Sequence, residues 1–168
     1  MSRWEPNARD RLREAALALF VEAGYEQTTV ADIASRAGLT PRTFFRHYSD
    51  KREVLFDGSA MLRDAMIPAL EAAPADAAPM SAVAAALDAA AAILGGRRDF
   101  SRQRQALISA NAELQERELI KLASLSAALA IALRTRGVAE PGASLAAESG
   151  IAVLRVAWSE GRRDRPLT

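Results

Sequence analysis

The stretch GLTPRTFFRHY, residues 38–48, decides how the first part of the chain folds. Thr40 is a good N-cap, because its hydroxyl oxygen accepts from the free amides of a first helical turn. Pro41 suits the first helical position, where its fixed φ matches the helix and its missing N–H is not needed. The stretch therefore predicts a short helix that begins at Pro41, directly after a turn at Gly38.

This short helix carries charged and aromatic side chains on its exterior. Its buried face is predicted to hold Phe44, and the other sides carry Arg42, Arg46 and His47. Phe45 lies outside or turns into the core beside Phe44, and the sequence leaves both open. The arginines either form a solvated helix face or meet a binding partner.

Two helices precede it. Residues 7–23 place apolar side chains, among them Leu19 and Ala23, at three- and four-residue spacing, which predicts an amphipathic helix. Thr29, with Asp32 three residues later, is typical of a capping box at the start of a second helix. That helix ends at Gly38 after barely two turns. Two short helices joined by a tight turn predict a helix-turn-helix motif.

The rest of the chain is predicted to be helical as well. Asp50 is expected to cap a long fourth helix that runs through Val54, and the prolines at positions 68, 74 and 79 are expected to break or bend helices. Ser81 is a candidate N-cap for an alanine-rich helix that ends near Leu94. We predict two domains, residues 1–50 and 51–168. Further helices are predicted at about residues 100–110, 114–136 (as one helix or two) and 141–158.

Composition indicates an all-α fold and narrows the functional classes. Alanine is abundant and aromatic residues make up only 5% of the 168 residues, so helices are favoured over sheets. The chain has no cysteine, which excludes disulfides, thiolate nucleophiles and cysteine-ligated zinc. With no apolar leader and no uncharged stretch of about 18 residues, we expect a soluble cytoplasmic protein. The net charge of +1 is too small to identify a nucleic-acid partner.

An enzyme is the disfavoured alternative. The single histidine falls in the short helix described above, so arrangements that pair it with a nucleophile lack parts. Paired carboxylates remain possible, but Glu113, Glu116 and Glu118 crowd a helix start, where the helix dipole favours them in any case. We therefore expect no catalytic residue, no metal site and no cofactor.

A helix-turn-helix motif assigns roles to the exposed residues. Its second helix enters the major groove of DNA N-terminus first, so Pro41, Arg42 and Thr43 are predicted to meet base edges. Arg42 is the best candidate for bidentate contact with guanine, and Pro41 for contact with a thymine methyl. For each of these residues, a structural role is the alternative to DNA contact: a place on the solvated surface, packing in the core or capping of a helix. The residues predicted to lie nearer the phosphates are Thr29, Thr40, Phe45, Arg46, His47 and Lys51.

The segment TTVADIASRAGLTPRTFFRHYSDKREVLF, residues 28–56, resembles the N-terminal domain of TetR-family transcriptional regulators. It follows that family's pattern T-x-x-x-I-A-x-x-A-G-x-(S/T)-x-x-T-(F/L)-(F/Y)-x-(H/Y)-(F/Y)-x-x-K-x-x-L, and the resemblance extends over residues 9–57. Residues 104–138 are also similar to the effector domain of actinobacterial members. The resemblance implies an all-α homodimer that binds an inverted repeat and a C-terminal bundle whose small-molecule effector releases it from DNA.

The resemblance also implies a dimer interface. The family usually closes with two long helices that form a four-helix interface with their mates, whereas here the chain reaches GRRDRPLT, residues 161–168, where the final helix would begin. We therefore expect the last helix to be short or missing. The helix over residues 141–158 still offers a face of small and apolar side chains for a mate: Leu145, Ser149, Ala152, Val153, Val156 and Ala157.

An effector pocket is implied between helices four to seven, lined by apolar side chains with a few polar anchors. Gln103 and Asn111 are of interest because an amide that faces a bundle interior needs a hydrogen-bond partner. Few charges fall on the inner stripes, which favours an apolar or neutral effector. A regulator that acts constitutively or through a protein partner is the alternative. The candidate lining residues, each of which could equally be core, are Met61, Met66, Leu87, Ile93, Phe100, Gln103, Leu107, Asn111 and Trp158.

Overall fold

A computed structural model describes residues 7–160, and within them the chain forms eight α-helices and one short 3-10 helix, without strands. This confirms the predicted all-α class. The expectation that the last helix is short or missing concerns residues 161–168, which lie outside the described residues. The helices are α1 (Ala8–Glu22), α2 (Val30–Arg36), α3 (Pro41–His47), α4 (Gly58–Glu71), α5 (Pro79–Gly95), α6 (Arg98–Ala110), α7 (Ala112–Thr135) and α8 (Gly142–Glu160), and the 3-10 helix is Glu53–Phe56.

The described chain forms two compact units. The first comprises residues 7–57 together with Gln103–Arg117, and the second comprises Gly58–Arg102 with residues 118–160. The first unit therefore takes in a segment, the end of α6 and the beginning of α7, that is distant from the helix-turn-helix in sequence.

The core of the first unit is built from α1, α2 and α3. Leu12 and Phe20 of α1, Ile33 of α2 and Phe44 of α3 are at most 1% exposed. The predicted stripe of α1 is wrong in part: Leu19 is only half-buried and Ala23 is exposed, while Ala15 and Leu17 are buried instead. The two short helices bury one face each, and this leaves their other faces available.

Three arginines hold the segment Gln103–Arg117 in the first unit. The Arg104 Nε donates to the carbonyl oxygen of Leu55 at 2.5 Å, and its guanidinium lies 4.9 Å from the centre of the Phe56 ring. Arg52 pairs with Glu113 at 2.9 Å. Arg117 completes the contacts with ion pairs to Glu53 at 3.4 Å and to Asp50 at 3.7 Å. All of these contacts converge on the 3-10 helix and the residues just before it.

The second unit packs small side chains against leucines. Met66 and Leu70 of α4 and Leu129 and Leu133 of α7 are fully buried. Alanine has no side-chain torsion to restrict and lets helix axes approach closely, so the alanine-rich helix is a packing element, as predicted, and not a linker. The buried alanines of this unit are Ala82, Ala86, Ala90, Ala130, Ala132, Ala143, Ala146 and Ala147.

Several predicted helix boundaries need correction. The long fourth helix is divided, because Val54 lies in the 3-10 helix and α4 begins only at Gly58. Pro68 sits inside α4 and does not end it. Pro79 occupies the first turn of α5, so this helix starts before Ser81, and its N-cap residue Ala78 makes no side-chain capping bond. The prediction placed the cap at a serine because it did not use Pro79 as a helix start, a position that proline favours.

In the part of the chain that the structure describes, no single helix has the length and apolar character needed to cross a membrane, and one bent pair of neighbouring helices passes that test on length and composition only.

Candidate nucleic-acid interface

The turn between α2 and α3 is fixed by a glycine and an arginine. Gly38 has φ +67°, in the left-handed region that a side chain disfavours, and the amide of Leu39 donates to the Ala34 carbonyl at 2.8 Å. The Arg11 guanidinium donates to the carbonyl of Ala37 at 2.5 Å, and a Cβ on Gly38 would lie 2.8 Å from the same nitrogen. The turn therefore requires glycine for its backbone and also for the space that Arg11 occupies.

The start of α3 agrees with the sequence prediction. Thr40 Oγ1 accepts from the amide of Thr43 at 3.2 Å, and Pro41 lies in the first turn. The hydroxyls of Thr40 and Thr43 lie 3.1 Å apart and share a hydrogen bond. This side-chain pair orients Thr43 at the end of α3 that is predicted to approach the bases.

The predicted capping box at the start of α2 is confirmed. Thr29 Oγ1 accepts from the Asp32 amide at 3.1 Å, and the Asp32 carboxylate accepts from the Thr29 amide at 2.9 Å and from its hydroxyl at 2.7 Å. These hydrogen bonds from Thr29 lower the pKa of Asp32. The Thr29 hydroxyl has donated its only hydrogen, so in this conformation it has none to give to a phosphate.

The exposed face of α3 carries the residues predicted to contact DNA. Phe44 is fully buried, whereas Phe45 is 57% exposed and touches the Phe44 ring edge-on, with ring centroids 5.5 Å apart. The alternative in which Phe45 joins the core is thereby excluded. Arg42, Arg46 and His47 are exposed, and neither arginine forms an ion pair with a side chain described in the range 7–158. Free guanidinium groups on a rigid helix are suited to an anionic partner.

Residues 12–57 match the family model described as bacterial regulatory proteins, TetR family. The match covers the N-terminal part of the chain, which is therefore similar to the TetR family. Members of this family are transcriptional regulators and not enzymes, in agreement with the sequence prediction.

Individual TetR-family proteins extend the likeness. The HTH-type transcriptional regulator TcmR of Streptomyces glaucescens is 43% identical over 91 residues, a match that covers 54% of this chain and 39% of TcmR. The structure of PfmR from Thermus thermophilus is 27% identical, with a TM-score of 0.52 over 97% of this chain and 89% of that one. A TetR-family regulatory protein from Rhodococcus RHA1 shares the fold, at 20% identity and a TM-score of 0.53, over 97% of this chain and 87% of that one.

Lys51 is held by two backbone carbonyl groups. Its ammonium donates to the carbonyl oxygens of Tyr25 at 2.8 Å and Thr28 at 3.1 Å. An ammonium has three hydrogens, so one remains for a phosphate. The lysine therefore supports the turn between α1 and α2, a role that the sequence analysis did not identify.

Tyr48 and α1 fix the far end of α3. The Tyr48 hydroxyl donates to the carbonyl of Arg9 at 3.4 Å, and the Arg9 guanidinium lies 5.5 Å from the Tyr48 ring. Burial raises the pKa of Tyr48 to about 12. Arg9 Nε in turn donates to Asp57 at 2.6 Å. Sequence analysis missed Arg9 and Asp57, because residues 48 positions apart leave no local periodic signal.

The candidate effector residues are divided between the two units. Met66 is fully buried in the core of the second unit, and Leu87 and Trp158 pack against that core. Asn111 Nδ2 donates to the Leu107 carbonyl at 2.7 Å. The side-chain nitrogen of Asn111 therefore already has a partner at the end of α6. Of the others, Met61 and Gln103 are exposed, and Ile93, Phe100 and Leu107 are half-buried.

The residues predicted for a dimer interface share one exposed face of α8. Leu145 is 63% exposed, Val153 is 52% exposed and Val156 is 49% exposed. The smaller residues Ser149, Ala152 and Ala157 are exposed beside them. Large apolar side chains at this level of exposure, gathered on one helix, are typical of a surface that pairs with another chain.

Proposed function

We propose that this protein is a DNA-binding transcriptional regulator of the TetR family that inserts α3 into the major groove. One observation carries the proposal: Phe44 is fully buried while Arg42 and Arg46 on the same two-turn helix are exposed and unpaired with any side chain described in the range 7–158. A helix held by one face and bearing free guanidinium groups on the other has the form that groove insertion requires.

The residues of α3 divide between reading and positioning. Arg42, in the first turn, is placed to donate two hydrogen bonds to guanine, with Pro41 and Thr43 beside it at the base edges. Arg46 and His47, one turn further, approach the phosphates, which position the helix without carrying sequence information. Phe45 has no hydroxyl, so its contribution is contact with sugar or base carbons.

Thr40 and Thr29 support this interface mainly as N-caps. The Thr29 hydroxyl gives its hydrogen to Asp32, so a phosphate contact by this hydroxyl requires that bond to break. Thr40 accepts from the Thr43 amide as the N-cap of α3. Lys51 supplies its third N–H to a phosphate while the other two hold the turn between α1 and α2.

We further propose a homodimer that binds an inverted repeat and acts as a repressor. The exposed apolar face of α8 supports pairing with a second copy. An effector that binds better to the conformation with separated DNA-binding units would lower operator affinity by that difference in binding energy. The apolar, alanine-rich second unit favours an apolar or neutral effector. A regulator that works without such an effector is the alternative.

Selection of bound DNA from a random pool, at a stated salt concentration, tests the central proposal. We expect a palindromic consensus whose half-site centres are about 34–36 Å apart along the duplex or slightly more. Arg36→Ala serves as the control variant and should select the same consensus. Arg36 is exposed on α2, but it is paired with Glu22 at 3.0 Å and not free for DNA. Recovery of no enriched sequence would overturn specific DNA binding. Release of the selected DNA by members of an apolar small-molecule library then separates effector control from constitutive binding.

A further inference from the structure

Arg11 of α1 contacts the turn of the helix-turn-helix motif and pairs with no carboxylate in the described part of the chain. This half-buried guanidinium donates instead to the carbonyl oxygen of Ala37 at 2.5 Å. The neighbouring arginines of the same helix differ, since Arg9 and Arg13 both pair with Asp57. A cation that binds a backbone carbonyl, with no carboxylate to neutralise it, is suited to holding that segment of backbone in place.

The Ala37 carbonyl lies at the C-terminal end of α2. Ala37 is the C-cap residue, and carbonyl groups at a helix C-terminus have no partner within the helix. An arginine donor satisfies such a carbonyl and interacts favourably with the negative end of the helix dipole. A Cβ on the next residue, Gly38, would lie 2.8 Å from the nitrogen of Arg11 that makes this bond. Arg11 therefore lies directly beside the turn that sets the direction of α3.

Helix α1 holds α3 near both of its ends. After the end of α3, the Tyr48 hydroxyl donates to the carbonyl of Arg9, only two residues before Arg11. Phe44, fully buried near the middle of α3, anchors the helix at one point. A single anchor leaves a helix free to tilt about it, whereas contacts before its start and after its end fix the tilt. Arg11 supplies the contact before the start.

We infer that Arg11 is a positioning residue of the DNA interface, which fixes the tilt of α3 and through it the placement of Arg42. This inference rests on the proposed function and deepens it. A bidentate contact with a base must be held to within about 0.5 Å and 10–20° of its best geometry, whereas attraction to the phosphates does not depend on sequence. Loss of the Arg11 contact is therefore expected to reduce sequence discrimination more than general affinity for DNA.

Arg11→Met, made in the whole chain, tests this role with operator DNA obtained from the random-pool selection. We expect operator affinity to fall by about tenfold, while affinity for random DNA changes by less than about twofold. The slope of log K against log salt on random DNA should stay unchanged, because no phosphate contact is lost. Arg36→Ala is the matched control: it removes another arginine contact between α1 and α2, to Glu22 at 3.0 Å, and should keep the wild-type ratio of the two affinities.

Arg11→Lys keeps the charge and tests the same point in a milder variant. Its ammonium ends one bond short of the guanidinium nitrogen that reaches Ala37, so discrimination should again fall. Wild-type discrimination in Arg11→Lys would overturn the inference, because charge alone would then suffice. Equal losses on both DNAs in Arg11→Met, with a salt slope reduced by about one, would overturn it by showing that Arg11 itself contacts a phosphate.

A double-mutant cycle shows whether Arg11 acts through Arg42. In the Arg42→Ala background, Arg11→Met should cost little further discrimination, because the contact that it positions is already absent. Additive losses would overturn the inference, and so would an unchanged affinity ratio in Arg11→Met accompanied only by a lower urea midpoint. Failure of the wild type to select any consensus would instead overturn the proposed function, before any variant is measured.

Discussion

The Lys51 ammonium lies 2.8 Å from the carbonyl oxygen of Tyr25 and 4.3 Å from the centre of the Tyr25 ring. A second hydrogen bond, to the Thr28 carbonyl at 3.1 Å, places the cation between the two ends of the turn that joins α1 to α2. The residue after this turn is Thr29, the N-cap of α2. Lys51 thus links the segment after α3 to the segment that orients α2.

Replacing this lysine is expected to destabilise the fold. Lys51→Met keeps the length of the side chain but removes both hydrogen bonds from a charged donor, each worth about 1.5–3 kcal/mol when unscreened. Since the site is partly exposed, we expect a total loss of about 1–3 kcal/mol in the free energy of unfolding, measured by urea denaturation. Arg46→Met is the control and should change stability by less than about 0.5 kcal/mol. Equal stability of the two variants would contradict the structural role of Lys51.

Arg42→Ala is expected to relax sequence preference. Without its two hydrogen bonds to guanine, binding to the selected operator should weaken by about 1–3 kcal/mol, at one base position in each half-site, while binding to random DNA stays almost unchanged. Competition gel shifts against operators altered at single positions measure this. Equal losses on operator and random DNA would show that Arg42 contacts only the backbone.

Arg46→Ala is expected to act differently. Because this variant removes a cation that binds phosphate, it should weaken binding to all sequences alike and reduce the slope of log K against log salt by about one for each phosphate. Titrations at several salt concentrations, on operator and on random DNA, separate the two arginines. An unchanged slope for Arg46→Ala would indicate that this guanidinium remains solvated in the complex.

Gly150→Ala is expected to disrupt the crossing of α5 and α8. A Cβ at this position would overlap the Val83 Cγ1 atom, and valine cannot swing that methyl away without leaving its preferred rotamer. We expect a loss of about 1–3 kcal/mol in the free energy of unfolding. Gly142→Ala, where the nearest atom is Val138 Cγ1 at 3.7 Å, should instead be neutral or gain up to about 1 kcal/mol. Restoration of stability in Gly150→Ala/Val83→Ala would confirm the clash.

Local signals in the sequence were sufficient for α2 and α3. Caps at Thr29 and Thr40 and the turn at Gly38 depend on neighbours a few residues away, so pattern reasoning located them, and the alternation of buried and exposed side chains on α3 followed from helix geometry. The sequence left the burial of Phe45 open, because an aromatic side chain next to Phe44 can lie either in the core or at the surface.

Contacts between segments that are distant in sequence could not be predicted from such local signals. Arg104 binds the Leu55 carbonyl 49 positions away, and Arg52 pairs with Glu113. A charged residue on a helix surface looks solvated in the sequence whether or not a partner comes from elsewhere. For the same reason Asn111 seemed to need a ligand, although the Leu107 carbonyl, left free at the helix end, was available one turn before it.

Tyr25→Phe is expected to leave the fold intact and to reduce its sensitivity to alkali. The Tyr25 hydroxyl is buried and has no hydrogen-bond partner among residues 7–160, so its removal should be neutral or stabilising at pH 7. Burial raises the pKa of Tyr25 above its ordinary value, because the phenolate loses its hydration. A raised pKa means that the folded state holds the phenolic proton more tightly than the unfolded state does. The stability linked to this proton is complete below about pH 10 and is lost as the pH rises further.

Urea denaturation of the wild type and Tyr25→Phe at pH 7 and at about pH 11 measures both effects. The wild type should lose more stability than Tyr25→Phe between these values, and the difference is the part linked to Tyr25. Tyr48→Phe is the matched control, because the pKa of Tyr48 is also raised, to about 12, but its hydroxyl donates to the Arg9 carbonyl. Tyr48→Phe should therefore lose up to about 1 kcal/mol at pH 7. A greater loss for Tyr25→Phe than for Tyr48→Phe at pH 7 would mean that the Tyr25 hydroxyl has a partner in solution.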